Sequence, residues 1–99
     1  MLEFWAESGN LGVMLKGYNS DITYAGRNYH LQTEDWGTDN PFLVSQIFFK
    51  GAVVKTIKIP YTKVLPDGVD PDIEAIGIAL EAQHSSILDL LVSGQLFDI

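Results

Sequence analysis

Two runs decide the fold: Asp21-Ile-Thr-Tyr-Ala-Gly-Arg-Asn-Tyr-His-Leu-Gln-Thr33 and Phe42-Leu-Val-Ser-Gln-Ile-Phe-Phe-Lys-Gly-Ala-Val-Val-Lys-Thr-Ile-Lys-Ile59. In each, two β-rich stretches meet across a tight X-Gly step, Ala25-Gly26 in the first and Lys50-Gly51 in the second, which is the local signature of a hairpin. Two consecutive hairpins predict one antiparallel sheet of at least four strands. If Ala25-Gly26 is a two-residue loop, Tyr24 pairs with Arg27, Ile22 with Tyr29 and Ser20 with Leu31, gathering apolar residues on one face. The other face then carries Thr23 with Asn28, Asp21 with His30, and Asn19 with Gln32.

The same rule applied at Lys50-Gly51 sets Phe48 against Val53, Gln46 against Lys55, Val44 against Ile57 and Phe42 against Ile59. Ile47, Phe49 and Val54 then fall on the opposite face, turned away from the helix. Two apolar faces predict strands that are covered on both sides or form half of an interface. Between the hairpins, Trp36-Gly-Thr-Asp-Asn-Pro41 is rich in turn formers, and Pro41 pushes Asn40 towards an extended conformation.

Beyond the hairpins, Asp70-Pro71-Asp72 opens a helix, with Asp70 as an acidic N-cap, proline at the first helical position and a second acid near the positive end of the dipole. The helix should run to Ser93 and stop at Gly94. Ile73, Ile76, Leu80, His84, Ile87, Leu88 and Leu91 recur at spacings of three and four, the stripe that would cover the sheet. Ala75, Ile78, Ala82 and Leu90 widen that apolar surface. The resulting expectation is an α+β domain over 1–99: an N-terminal arm or short strands at 1–16 around Ser8-Gly9-Asn10, two hairpins at 17–61, and one long C-terminal helix at 70–93.

Ninety-nine residues with 46% apolar content suffice for one core and not for two. The net charge of −7 repels a phosphate backbone and argues against a nucleic-acid partner. Four lysines between Lys50 and Lys63 alternate with apolar residues, as on a solvated sheet face. The absence of cysteine excludes disulfides, thiolate zinc sites and a cysteine nucleophile, in keeping with the cytoplasm. Acids stand near the N-terminus where a signal peptide needs basic residues, and nowhere do 18 apolar residues run together, so neither export nor a membrane span is expected.

The polar cluster Tyr29-His-Leu-Gln-Thr-Glu-Asp-Trp36 is where chemistry could sit. His30 and Glu34 stand four apart, which on a strand separates them by about 13 Å and prevents them from ligating one metal ion alone. Asp21 opposite His30 is the better pair, a dyad that could orient an imidazole for base work; the plainer reading is a cross-strand polar contact. His84, within the helix stripe, reads first as a core histidine with a hydrogen-bonded nitrogen. Candidate catalytic residues are therefore Asp21, His30, Glu34 and His84. Gln32, Asp35, Trp36 and Asn40 are candidates for binding, with the Trp36 ring either tucked in or left out to contact something. No G-x-S-x-G, phosphate loop or G-x-G-x-x-G is present, and Asp21, Glu34, Asp35 and Asp39 follow no EF-hand spacing. No metal or cofactor is expected.

The run Gly17-Tyr-Asn-Ser-Asp-Ile-Thr-Tyr-Ala-Gly-Arg-Asn-Tyr-His-Leu-Gln-Thr-Glu-Asp35, then Asn40-Pro41, Glu81-Ala-Gln-His84 and Ser93-Gly-Gln-Leu-Phe-Asp98, resembles a small bacterial family of uncharacterised domains. The chain departs from it at Trp36 and at Ser85-Ser86, where smaller or more polar and basic residues are expected. The resemblance implies that His30 and His84 belong to family motifs, without dividing folding from function.

The function expected from these readings is a non-enzymatic protein-interaction module, acidic and cytoplasmic. It would engage a protein partner or a second copy of itself, with a homodimer slightly favoured. The alternative is a small hydrolase or metal-assisted enzyme built on Asp21 and His30 with Glu34.

Overall fold

The computed structural model describes residues 2–8 and 13–98, with side chains described for residues 17–96. Five strands, β1 (Leu2–Ser8), β2 (Val13–Tyr24), β3 (Arg27–Asp35), β4 (Phe42–Phe49) and β5 (Ala52–Pro60), form an antiparallel meander in sequence order. A four-residue helix, α1 (Tyr61–Val64), turns the chain towards α2 (Ile73–Val92), which lies across β2, β3 and β4. The α+β sheet-and-helix arrangement is the one the two hairpins predict. Of the N-terminal segment, β1 and the start of β2 are strands, while the turn expected at Ser8-Gly9-Asn10 falls largely outside the described residues.

Both hairpin loops are two residues long, with Ala25 at φ 53° and Gly26 at φ 76°, and Lys50 at φ 52° and Gly51 at φ 81°. Two successive positive φ values match the right-handed twist of the flanking strands. The first hairpin pairs as its alternation predicts: Tyr24 with Arg27, Ile22 with Tyr29, Asp21 with His30, Ser20 with Leu31, Asn19 with Gln32.

The second hairpin departs from its predicted register. Phe49 pairs with Ala52 and Phe48 with Val53, but Ile47 then meets Lys55, leaving Val54 as an extra residue in β5. This bulge shifts every later pair by one: Gln46 faces Thr56, Ser45 faces Ile57, Val44 faces Lys58 and Leu43 faces Ile59. The predicted pairs of Gln46 with Lys55, Val44 with Ile57 and Phe42 with Ile59 are not formed. An unpaired residue reverses the side-chain alternation beyond it, so Lys55, Ile57 and Ile59 turn to the helix side and line a groove beside α2.

The faces of β4 are corrected in the same way. Ile47 pairs with the buried Leu31 of β3 and lies with it, Ile87, Leu91 and Leu96 in the core beneath α2. The Phe49 ring packs 5.3 Å from that of Tyr29. These two residues therefore belong to the helix side, and Val44, Gln46 and Phe48 alternate onto the far side.

Helix α2 begins two residues later than its sequence suggests. Asp72, at φ −80° and ψ 173°, is the N-cap, and its carboxylate accepts from the Ala75 amide at 2.8 Å. Asp70 instead accepts the Asp72 amide through its carbonyl, and Pro71 precedes the helix. At the other end the helix stops at Ser93, with Gly94 at φ 80°, as predicted. Ile76, Leu80, His84, Ile87 and Leu91 of the predicted stripe are buried. Ile73 is not part of it and is 71% exposed, because the first turn lies beyond the sheet-covered length. By length and composition α2 is apolar enough to cross a membrane; burial of its inner stripe accounts for part of that character.

Candidate functional site

The interior beneath α2 contains a polar chain. His84 Nε2 lies 2.8 Å from Ser20 Oγ on β2, and His84 Nδ1 lies 2.7 Å from Thr33 Oγ1 on β3. Thr33 Oγ1 is 2.8 Å from Ser45 Oγ on β4, its direct cross-strand partner. The Gln83 Nε2 group donates to Ser45 Oγ at 3.1 Å and to the Leu43 carbonyl at 3.2 Å. All of these side chains are buried, and His84, Thr33 and Ser45 are fully so. Burial pulls the His84 pKa down to about 4, since an imidazolium there would lose its hydration. A neutral imidazole between two hydroxyls donates through one nitrogen and accepts through the other, so the chain is satisfied without a charge.

The arrangement contains a serine–histidine contact, yet it lacks a path for substrate. Ser20 and His84 are sealed between sheet and helix, and the Tyr18 ring closes over the imidazole at a centroid distance of 5.5 Å. The network ties three strands to the helix. Ser20, Thr33, Ser45 and Gln83 were not selected as site residues from sequence. The available signal was a small polar residue, Ser20, on the otherwise apolar face of the first hairpin.

His30 lies on the other side of the sheet, so the two histidines do not share a site. Its Nδ1 is 2.9 Å from Asp21 Oδ1, and its Nε2 is 2.8 Å from Asn19 Oδ1. The predicted Asp21–His30 pair is present, and with both ring nitrogens engaged neither is open to take a substrate proton. Asp21, His30, Gln32 and Phe48 line an open cleft of about 650 Å³ near the Lys50-Gly51 turn. Glu34 is outside that lining, two pairs further along β3 opposite Val44. Among the described residues, no group of three His, Cys, Asp or Glu side chains could hold a metal ion.

The remaining candidates hold the β3–β4 connection together. Asp35 accepts from the Gly37 amide at 2.9 Å and, through a short hydrogen bond, from the Tyr61 hydroxyl. Burial, and then the Asp35 carboxylate, raise the Tyr61 pKa. The Asn40 amide donates to the Gly37 carbonyl, and its own carbonyl accepts from the Phe42 amide. Trp36 is 41% exposed, and Lys58 Nζ stands 4.9 Å from its ring centroid and 4.4 Å from that of Phe42. These contacts are cation–π pairs. They place the four binding candidates apart: Gln32 at the His30 cleft, and Asp35, Trp36 and Asn40 at the turn.

An apolar opening lies elsewhere. Because α2 crosses β2 to β4, the inner face of β5 is left beside it as a groove of about 490 Å³, lined by Lys55, Ile57 and Ile59 of β5, Val64 of α1, Ala79, Ala82, Gln83, Ser86, Ile87 and Leu90 of α2, and Leu96. Gln83 Oε1 in its wall is buried with no donor among the described residues.

Comparisons of the chain with protein-family models, with curated proteins and with solved structures each gave no match. The resemblance carried by the Gly17–Asp35 run and the Gln83-His84 pair therefore rests on those residues alone.

Proposed function

We propose that this domain is a non-enzymatic protein-interaction module. The groove between β5 and α2 carries the reading: it is open, apolar and flanked by an edge strand whose outer backbone groups pair with no other strand among the described residues. The polar groups available for catalysis support it from the other side. His84 is sealed in the core, and the ring nitrogens of His30 are both taken by neighbours on β2.

The test is a photo-reactive amino acid placed at Ala82 on the groove wall, or at Thr23 on the far sheet face, in cells that naturally make the protein. The reading expects a covalent protein adduct at Ala82 and not at Thr23. Adducts at neither position contradict it.

The enzymatic alternative draws support from the Asp21–His30 contact at the mouth of the larger cleft. It requires Asn19 to release Nε2 when substrate arrives. Turnover of any ester, amide or phosphoester substrate that disappears in Asp21→Asn and His30→Gln variants of unchanged fold would favour it.

A further inference from the structure

We propose that the occupant of the groove is α2 of a second copy of this chain, each copy laying its helix beside β5 of the other about a two-fold axis. This deepens the interaction reading and rests on it.

An isologous interface needs a surface that presents a ridge and its complementary recess side by side, so that each copy offers both. Here the two are adjacent. Helix α2 forms one wall of the groove, and the same helix carries Ile78, which is 66% exposed, on the flank next to that wall. One helix of about 10 Å diameter covers two or three strands spaced by roughly 4.8 Å. The five-stranded sheet therefore has room for a second helix over β5. Along the wall, Ala79, Ala82 and Ser86 are small, so a neighbouring helix axis can approach to the lower end of the usual 8–10 Å range.

Charge selects the partner. Helix α2 contains Glu74, Glu81 and Asp89 and no lysine or arginine, whereas the groove floor presents Lys55. An acidic helix is thus matched to an apolar recess whose floor carries one lysine. Direct pairing of one β5 edge with another would set lysine near lysine and is disfavoured. Although two chains of −7 repel, a Debye length of about 8 Å at physiological salt screens their distant charges more than contacts inside the interface.

Sedimentation velocity over a dilution series, with the parent chain and an Ala82→Arg variant, tests the proposal. Ala82 is exposed, so arginine should be accommodated in the monomer, which a thermal melt verifies. The expected result is a dimer that dissociates on dilution and a variant that remains monomeric with its fold intact. The absence of cysteine permits a second arm: Ala82→Cys or Ser86→Cys should form a disulfide-linked dimer on mild oxidation, and Thr23→Cys should not. A parent that is monomeric at all concentrations overturns the proposal, as does a dimer indifferent to Ala82→Arg or linked equally well through Thr23. If the parent is monomeric while the Ala82 photo-probe captures a different protein, the interaction reading survives and the second-copy assignment fails. If the parent is monomeric and no adduct forms, both fail.

Discussion

Ser20 and Asp21 are consecutive residues of β2 that hold different histidines on opposite faces of the sheet, Ser20 Oγ at 2.8 Å from His84 Nε2 and Asp21 Oδ1 at 2.9 Å from His30 Nδ1. Successive strand residues point to opposite faces, so the sheet itself separates the two imidazoles. The consequence is an asymmetric response to mutation. His84→Ala leaves a cavity and unpaired hydroxyls in the core and should cost roughly 2–4 kcal/mol. His30→Ala removes a partly solvated cross-strand contact and should cost no more than about 1 kcal/mol. Urea unfolding of both variants checks the difference, and equal losses would contradict the placement of His84 in a sealed network.

Acid should act through His84. Its folded pKa is lowered to about 4 by burial, while in the unfolded chain an imidazole titrates at about 6.5. Between those values the unfolded state binds the extra proton. The stabilisation is fully present above about pH 6.5 and is lost as pH falls towards 4, on the order of 3 kcal/mol in all. Comparing stability against pH for the parent and for His84→Gln isolates this effect from the carboxylates. The variant should show a shallower acid limb, and an unchanged slope would show that His84 takes its proton in the folded state.

The hairpin loops predict changes of opposite sign. Ala25 and Lys50 hold left-handed φ values of 53° and 52°, which cost a residue with a Cβ about 1–2 kcal/mol. Asn is better tolerated at the first position of such loops. Ala25→Asn or Lys50→Asn should therefore stabilise by a few tenths to about 1 kcal/mol, while Gly26→Val or Gly51→Val should destabilise by roughly 1–3 kcal/mol. Thermal melts of the four variants suffice to test the signs.

Gly94 combines conformational strain with close packing. Its φ is 80°, and a Cβ there would overlap the Tyr24 ring and hydroxyl. Gly94→Ala should thus be worse than a change at Gly26, where the space beyond the Cα is open. In a double-mutant cycle with Tyr24→Ala, the penalty of Gly94→Ala should shrink to that of backbone strain alone. Strict additivity would mean that the Tyr24 contact contributes nothing.

How much was legible in the sequence depended on whether its determinants were local. The first hairpin was readable to the pair because Ala25-Gly26 sets the register and the polar–apolar alternation agrees with it. The second was not, because Val53-Val54 reads equally well as paired strand or as bulge; misplacing one residue reversed the outlook of Lys55, Ile57 and Ile59. In the helix, Asp70 before Pro71 reads as the cap, and only the contact of the Asp72 carboxylate with the Ala75 amide moves that role to Asp72. The Asp21–His30 contact could be read from cross-strand opposition. The partners of His84 could not, because Ser20, Thr33 and Ser45 come from three strands and converge only when α2 is laid across them. The groove was invisible for the same reason: it exists because the sheet is wider than the helix that covers it.

That the groove between β5 and α2 receives a second copy of this chain can be read out in methyl-labelled NMR spectra of isoleucine recorded across a concentration series. The signals of Ile57, Ile59, Ile78 and Ile87, in or beside the groove, should shift together as the chain is concentrated, while Ile22 at the His30 cleft stays still. Spectra that do not change with concentration, or changes confined to Ile22 and its surroundings, would contradict it.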